Sequence, residues 1–267
     1  MSGPEAENAP AVSVIIPVFN VRPYIDECLD SLLAQTLDSL ELVFVDDHGT
    51  DGTIPYLKGR IDAYRGPKSL RIVSTPRNGG PGAARNAGIS VARGEFIAFV
   101  DGDDTVEPGF CASLYDAAQK EDKDLACCDI EIGGKVFHNG HTSDKKAFLR
   151  HFVSYFTTFL YRRSLLLDNG IVFPPGRSAE DTCFLTCSVL ASNGIAKADG
   201  SLYHYRILEG SVSHRRDRSR AAVRLSSIRR IRSFAKEKGL YRKYLCEIEY
   251  LVLKKGWILA LLDLVKG

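Results

Sequence analysis

The chain has 267 residues, long enough for one large domain or for one domain with an appendage. Its apolar fraction of 45% and charged fraction of 25% are ordinary for a globular protein. Its net charge of +2 is close to balanced and gives no case for nucleic-acid binding.

Short runs of β-branched and aromatic residues alternate with helical patterns over the first hundred residues. The runs predict strands at 12–18, 42–45, 70–74 and 96–100, and the patterns between them predict helices at 22–36, 54–64 and 82–92. Thr53 is the predicted cap of the second helix, which has Pro55 in its first turn. Strands that alternate with helices predict an α/β fold, with a mostly parallel sheet flanked by helices.

The remaining chain continues this pattern and then becomes helical. We predict a helix at 109–121, a hairpin of strands 125–132 and 135–138 around Gly133-Gly134, and helices at 143–149, 163–168, 181–192 and 219–238. Residues 215–238 hold ten Lys and Arg against two acidic residues. We expect a disordered lead at 1–11, a catalytic domain at 12–214 with halves 12–107 and 108–214, and a basic helical extension at 215–267.

Three features of the chain bear on its compartment. The seven cysteines are scattered without zinc-site spacing, which predicts buried free thiols in a reducing environment. The acidic, apolar-poor N-terminus does not resemble a signal peptide. No run approaches the ~18–20 apolar residues of a spanning helix, since residues 257–265 are short and carry Asp263. We therefore expect a cytoplasmic protein.

Asp101-Gly102-Asp103 directly follows a predicted buried strand. Carboxylates at positions i and i+2 after a strand share one face, and Gly102 permits close approach by backbone or ligand. Two adjacent carboxylates repel each other, and a divalent cation removes that repulsion. Oxygen ligands suit Mg²⁺ or Mn²⁺, which bridge to phosphates. The alternative is a simple acidic turn.

Five further residues are candidates for binding or catalysis. Asp47 follows another predicted strand, where it could accept a hydrogen bond from a uracil-like base or a ribose, or help to cap the next helix. Arg85 could pair with phosphate, with Asp47 or with Asp101, or form a surface ion pair. Glu180 and Asp181 begin a helix and could supply a general base, or could act only as helix-capping acids. His214 could complete a metal shell or close over a diphosphate, although a lone histidine is more often structural.

Taken in order, these segments resemble the family 2 glycosyltransferases of bacterial polysaccharide assembly, which have the GT-A fold. Several motifs in the right order are far more specific than any one of them. The resemblance spans about residues 12–214 and is carried by Val12–Asn20, Asp46–Thr53, Asn78–Gly88, Phe99–Asp104, 159–173, Glu180-Asp181-Thr182, Tyr203–Arg206 and 210–213. One departure is His48-Gly49, where the family usually has a small residue followed by serine.

The resemblance implies roles for the matched positions. Pro17, Val18, Phe19 and Asp47 would hold the base, Asp101 the ribose or metal, and Asp103 a Mn²⁺ or Mg²⁺ ion that bridges the diphosphate. Asp181 would be the base of an inverting displacement, and Glu180 would orient the acceptor. The donor would be a nucleotide-diphosphate sugar, with UDP-sugars favoured, and the acceptor a saccharide or a lipid-linked glycan.

Three questions stay open at this level. Residues 215–238 fit either an amphipathic helix that covers the catalytic domain, the interpretation we favour, or a peripheral contact with the inner face of the cell membrane. The same helix could serve as an oligomer contact. The alternative functions are a sugar nucleotidyltransferase, which usually needs a Gly-rich basic loop after the first strand that this chain lacks, and a non-catalytic nucleotide-sugar-binding protein.

Overall fold

The computed structural model describes residues 9–139, 144–151, 155–176, 179–208 and 218–258. Within these residues, nine strands form one sheet: β1 (Val12–Val18), β2 (Leu40–Asp46), β3 (Ser69–Ser74), β4 (Phe96–Phe99), β5 (Thr105–Val106), β6 (Leu125–Ile132), β7 (Lys135–Phe137), β8 (Phe159–Arg162) and β9 (Ile195–Tyr205). The α-helices are α1 (Ile25–Leu33), α2 (Thr53–Ala63), α3 (Pro81–Val91), α4 (Phe110–Lys120), α5 (Lys145–Arg150), α6 (Arg163–Asn169), α7 (Glu180–Ala191), α8 (Arg218–Glu237) and α9 (Leu245–Leu251), followed by a π-helical stretch, Val252–Ile258.

The sheet brings the carboxyl ends of its principal strands to one edge. The strand order is β3-β2-β1-β4-β8-β6-β9-β5, with β7 paired to β6. Strands β1, β2, β3 and β4 are parallel, as predicted. Because β8 is antiparallel to both β4 and β6, strand β6 runs in the direction of β4, and β9 is parallel to β6. The ends of β1, β2, β4, β6 and β9 therefore share one side, which we call the carboxyl edge.

Both faces of the sheet are buried, which accounts for the nearly continuous apolar runs of the first strands. Val14 and Ile16 of β1 pack in one core cluster with Phe44, whereas Ile15 packs in the other with Phe99. This division follows from the alternation of side chains along a strand. The predicted α/β fold with flanking helices is confirmed, and the second half of the chain adds antiparallel pairs to the sheet.

Some boundaries differ from prediction for local reasons. Helix α1 begins at Ile25, because residues 21–24 form a turn in which Tyr24 N donates to Val21 O. Thr53 is the first residue of α2 and not its cap, since Gly52 takes the cap position with φ of 82° and Asp51 Oδ1 accepts from Thr53 N at 3.1 Å. The predicted helix start at Ser143 and residues 1–8 of the predicted lead lie outside the described residues.

Three strands were not predicted. Strands β5 and β8 have two and four residues, too few to show a period. Strand β9 is interrupted by Asp199-Gly200, with Gly200 at φ of 72°, and its pairing with β6 shifts register between Cys127 and Asp129. A bulge of this kind breaks the alternation that marks a strand in sequence.

Helix α8 packs against the part of the chain that precedes it. Its residues Ile228, Ile231 and Ala235 are buried in the same core cluster as Phe173 and Phe184. The predicted apolar stripe is thus used in packing, so a contact of this helix with lipid would rest on its basic side chains. Among the described residues, no helix combines the length and apolar character needed to cross a membrane.

The seven cysteines are free thiols, as predicted, and all except Cys246 are buried. Burial raises the pKa of the Cys111 and Cys127 thiols to about 12. These two thiols are therefore protonated and chemically inert at neutral pH.

A buried ion cluster joins β1, β2, β3 and the start of β4 at the amino edge. Glu41 is 0% exposed, and its carboxylate accepts from Ser13 Oγ, from Arg93 N at 2.9 Å and from Arg93 Nε at 2.8 Å, with Arg71 also 2.9 Å away. Burial alone would raise the pKa of Glu41, but the hydrogen bonds from Ser13 and Arg93 and the charge of Arg71 lower it. The folded chain therefore favours the ionised form of Glu41.

We expect Glu41→Gln to destabilise the fold by roughly 3 kcal/mol at pH 7, because it breaks a buried, hydrogen-bonded ion cluster. A carboxylate whose pKa is lowered by folding stabilises the fold above its unfolded pKa, and this contribution is lost as pH falls through the folded pKa. The difference between variant and wild type should thus shrink on acidification, as measured by urea unfolding at pH 7 and pH 4. Glu121→Gln, at an exposed position, is the control. Equal stability of Glu41→Gln and wild type at pH 7 would contradict this account.

Candidate active site

The acidic turn Asp101–Asp104 leaves β4 at the carboxyl edge. The turn is closed by Asp104 N, which donates to Asp101 O at 3.0 Å. A Cβ placed on Gly102 would lie 3.1 Å from Val21 Cγ2 and 3.2 Å from Pro17 O, so the turn packs directly against the end of β1. Glycine is required for this approach. The predicted residues Pro17, Gly102, Asp101 and Asp103 are therefore neighbours.

The structure gives the three carboxylates of the turn different surroundings. Asp101 Oδ1 pairs with Arg85 at 2.6 Å. Asp104 is buried, accepting from Tyr203 Oη at 2.6 Å and from Arg206 N at 2.8 Å. Asp103 is half-buried, and within the described part of the chain its carboxylate forms no ion pair within 4.0 Å. Asp103 is thus the carboxylate of the turn that is most available to a ligand.

The turn concentrates negative charge. Burial and the charge of Asp101 raise the pKa of Asp103 to about 6. Burial, with a further contribution from Asp101, raises the pKa of Asp104 to about 8. Both shifts mean that the ionised carboxylates are unfavourable as they stand, and a bound cation would relieve this cost.

The donor set fits Mg²⁺ or Mn²⁺. No group of three or more metal-ligating side chains occurs in the described ranges, and the predicted ligand His214 lies outside them. Asp101 and Asp103 would thus supply two hard oxygen ligands, and water and phosphate oxygens the remainder. This composition is typical of ions that bind through one or two carboxylates and a substrate phosphate.

Arg85 lies between the acidic turn and the start of α7. The residue is 6% exposed, and its guanidinium carbon lies 4.5 Å from the Phe156 ring centroid. Burial would lower the pKa of Arg85, but Asp101 and, more weakly, Glu180 raise it. The sequence left several partners open for Arg85, and in the structure it pairs with Asp101. Arg85 Nε is buried without a hydrogen-bond partner in the described structure.

Asp47 is turned toward the loop that begins α3. It is 2% exposed, and its carboxylate accepts from Gly79 N at 2.9 Å, Gly80 N at 2.7 Å and Thr75 Oγ1 at 3.0 Å. This carboxylate fixes the loop that leads to Arg85. Its contact with a nucleotide base stays a prediction. Phe19, directly after β1, is exposed to solvent.

The His48-Gly49 departure has a structural reason. His48 has φ of 63°, and its Nε2 lies 2.6 Å from Thr75 O, which ties this left-handed residue to the segment after β3. At Gly49, a Cβ would lie 2.8 Å from Asn20 N and 3.0 Å from Asn20 Oδ1. The loops after β1 and β2 therefore meet at Gly49 without room for a side chain.

Glu180 and Asp181 form the first turn of α7, after Ala179 at φ of 59°. Asp181 Oδ1 accepts from Thr182 N at 2.7 Å. A Cβ on Gly82 would lie 4.0 Å from Glu180 Cγ, so Glu180 lies beside the start of α3. Burial raises the pKa of Tyr161, and the nearby charge of Asp181 adds to this shift.

An aromatic cluster sets the position of α7 relative to the acidic turn. The ring of Phe99, two residues before Asp101, lies 5.4 Å from Phe173 and 5.6 Å from Phe184. Phe173 and Phe184 are stacked with centroids 3.9 Å apart. Sequence reasoning missed this cluster because its members are far apart in the chain, from Phe99 to Phe184.

Asn86 is a second connection that the sequence did not single out. Its side chain exchanges two hydrogen bonds of 2.9 Å with the backbone of Phe173, one through Nδ2 and one through Oδ1. Helix α3 thus grips the loop that precedes Glu180. The sequence did carry one signal for this contact, because asparagine has a poor helix propensity and Asn86 lies inside a predicted helix.

The chain belongs to glycosyl transferase family 2, because the model of that family matches residues 13–179. Its fold is the GT-A fold of Staphylococcus aureus TarS. The structure of TarS residues 1–349 in complex with UDP-GlcNAc aligns with a TM-score of 0.69 at 26% identity, covering 88% of this chain and 72% of that one. TarS is a poly(ribitol-phosphate) β-N-acetylglucosaminyltransferase, 34% identical over 206 residues, or 72% of this chain and 35% of TarS.

One further relative and one further solved structure are similar to the chain. The uncharacterized glycosyltransferase EpsJ of Bacillus subtilis is 34% identical over 215 residues. The match covers 74% of this chain and 61% of EpsJ, so the chain spans less than two thirds of that relative. The mannosyltransferase PcManGT of Pyrobaculum calidifontis, in complex with GDP-Man and Mn²⁺, shares the fold with a TM-score of 0.62 at 20% identity, covering 97% of this chain and 75% of that one.

Two glycine substitutions test the close approach of the loops. Gly49→Ala should destabilise the fold by about 1–3 kcal/mol, because its Cβ would overlap the Asn20 backbone. Gly59→Ala, within α2 where no atom lies within 4 Å of the new Cβ, should stabilise by about 0.5–1 kcal/mol. Thermal or urea unfolding of both variants measures these changes. A Gly49→Ala variant at least as stable as the wild type would show that the packing at Gly49 is described wrongly.

Proposed function

We propose that the protein transfers a sugar from a nucleotide-diphosphate sugar, with a UDP-sugar favoured, to a hydroxyl of a saccharide or lipid-linked acceptor, with inversion at the anomeric carbon. One observation carries this proposal. Asp101 of the acidic turn pairs with Arg85 at 2.6 Å, and Glu180, next to Asp181, lies beside Gly82 on the helix that carries Arg85, at the carboxyl edge where α/β sheets bind ligands.

The acidic turn and the end of β1 are the proposed donor site. Asp103, with Asp101, would hold a Mn²⁺ or Mg²⁺ ion. Such an ion, when bound, neutralises the charge that develops on the departing diphosphate. The carbonyl oxygen of Pro17 lies beside Gly102, and Pro17, Val18 and the exposed ring of Phe19 are the proposed wall of the base site. The UDP-GlcNAc complex of TarS supports a uridine nucleotide as the first donor to test.

Asp181 is the proposed general base. The acceptor hydroxyl has a pKa far above 7, so a positioned carboxylate must take its proton as the oxygen attacks the anomeric carbon. The new C–O bond forms as the bond to the diphosphate oxygen breaks, and the nucleoside diphosphate leaves from the opposite face. Glu180, beside Arg85, is proposed to orient the acceptor. One displacement of this kind inverts the configuration.

The two alternative functions are less well supported. A sugar nucleotidyltransferase lacks support because the chain has no Gly-rich basic loop after β1 and its family match is to glycosyltransferases. A non-catalytic binding protein would need no general base, whereas Glu180-Asp181 supplies a candidate for one. Turnover by the wild-type chain distinguishes this second alternative.

Two isosteric substitutions separate the proposed roles. Asp181→Asn should lower the transfer rate by about 10²–10⁴-fold and leave donor affinity nearly unchanged, because it removes proton acceptance alone. Asp103→Asn should weaken Mn²⁺-dependent binding of the donor. Sugar transfer is measured as the release of UDP from a panel of UDP-sugars in the presence of saccharide acceptors. Donor binding is measured by calorimetry with and without EDTA.

The control for both substitutions is Asp116→Asn, at an exposed position on α4. Full activity of Asp181→Asn would remove the base assignment. Donor binding that is unchanged both by EDTA and by Asp103→Asn would remove the metal assignment.

A further inference from the structure

The segment Tyr203–Arg206 has no part in the chemistry proposed above, yet it lies directly behind the acidic turn. It ends β9, which pairs antiparallel with β5 through Thr105–His204 and Val106–Tyr203. Strand β5 begins one residue after Asp104. The end of β9 is therefore held against the turn by main-chain pairing before any side chain is considered.

The hydroxyl of Tyr203 bridges the two ends of the turn. Tyr203 is 0% exposed, and its Oη donates to Asp104 Oδ2 at 2.6 Å while accepting from Asp101 N at 3.1 Å. Tyr203 thus contacts two groups of the turn, the buried carboxylate of Asp104 and the main-chain N–H of Asp101. Neither carboxylate oxygen of Asp101 is used in this contact. The side chain of Asp101 is thus left to pair with Arg85.

Arg206 holds the middle of the turn. Its backbone N donates to Asp104 Oδ1 at 2.8 Å, and its Nε donates to Asp103 O at 2.9 Å. The same guanidinium pairs with Glu27 and lies 5.3 Å from the ring centroid of Tyr24. Arg206 therefore ties the main chain of Asp103 to the region of α1. The contact uses the carbonyl of Asp103 and leaves its carboxylate unused.

We propose that Tyr203 and Arg206 are positioning residues for the metal-binding turn, and that Asp104 is the anchor they hold and not a metal ligand. Their hydrogen bonds to the turn go to its main chain or to Asp104, and none goes to the carboxylate of Asp101 or Asp103. The carboxylates of Asp101 and Asp103 are thereby presented together from a turn whose backbone is fixed. This inference rests on the proposed function, because it assigns the turn to a cation that bridges a diphosphate.

A double-mutant cycle on the full chain tests the proposal, with Mn²⁺ as the metal and UDP as the diphosphate. Tyr203→Phe and Asp104→Asn should each raise the Mn²⁺ dissociation constant roughly tenfold in the presence of UDP, because each leaves a buried group unpaired. The double variant should lose little more than either single variant, since the two residues act through one hydrogen bond. Mn²⁺ binding is read by electron paramagnetic resonance titration, and folding by thermal unfolding of the same samples.

Two further variants keep the test decisive. Arg206→Lys, at a partly exposed site, removes the Nε donor to Asp103 O and should weaken Mn²⁺ binding roughly threefold even if Tyr203→Phe does not fold. Tyr115→Phe, beside Phe96 at the amino end of β4, is the control and should bind Mn²⁺ as the wild type does.

Wild-type Mn²⁺ affinity in folded Tyr203→Phe, or losses that multiply to about a hundredfold in the double variant, would overturn the positioning role. If Tyr203→Phe does not fold, wild-type affinity in Arg206→Lys would overturn it. Unchanged Mn²⁺ binding in Asp103→Asn would instead show that the proposed metal role itself fails.

Discussion

A guanidinium that is almost fully removed from water requires a carboxylate partner, because an unpaired buried charge costs several kcal/mol. Arg85 meets this requirement with Asp101, 2.6 Å away, and its charge is also felt by Glu180. The phenyl ring of Phe156 covers the guanidinium. Asp101, the first carboxylate after β4, and Glu180, the first residue of α7, therefore both interact with the positive charge of Arg85. The turn proposed to bind the donor and the helix proposed to activate the acceptor can therefore form a single site.

The surrounding structure holds this arrangement from several directions. Asp47 holds the loop before α3 through hydrogen bonds, and α3 carries both Arg85 and Asn86. Asn86 is hydrogen-bonded to the backbone of Phe173. Phe173 stacks on Phe184 of α7, and both rings contact Phe99 of β4. The contacts of Asn86 with Phe173, and of Phe99 with Phe173 and Phe184, join residues 12–107 to residues 108–214. These two parts of the chain are therefore packed together around the site.

The parallel half of the sheet and the acidic turn were predictable because buried parallel strands read as apolar runs and because acids at their ends stand out. Helix α7 was predictable because two acidic residues, Glu180 and Asp181, directly precede an apolar helical pattern. Strand β9 was not, because Asp199-Gly200 breaks its alternation, and its Tyr203 acts through long-range contacts. Asp47 illustrates a further limit: sequence places it at the right edge, but its partners, Gly79 and Gly80, depend on tertiary packing.

The central claim is that Arg85, paired with Asp101, connects the acidic turn to Glu180 at the start of α7. The most direct measurement is kcat/KM for sugar transfer by Arg85→Lys, which keeps the charge but loses the planar fork that faces Asp101. The account predicts a fall of roughly 100-fold, because displaced reacting groups are costly, in a protein whose thermal unfolding shows that it is folded. A folded Arg85→Lys variant with wild-type kcat/KM would contradict the account.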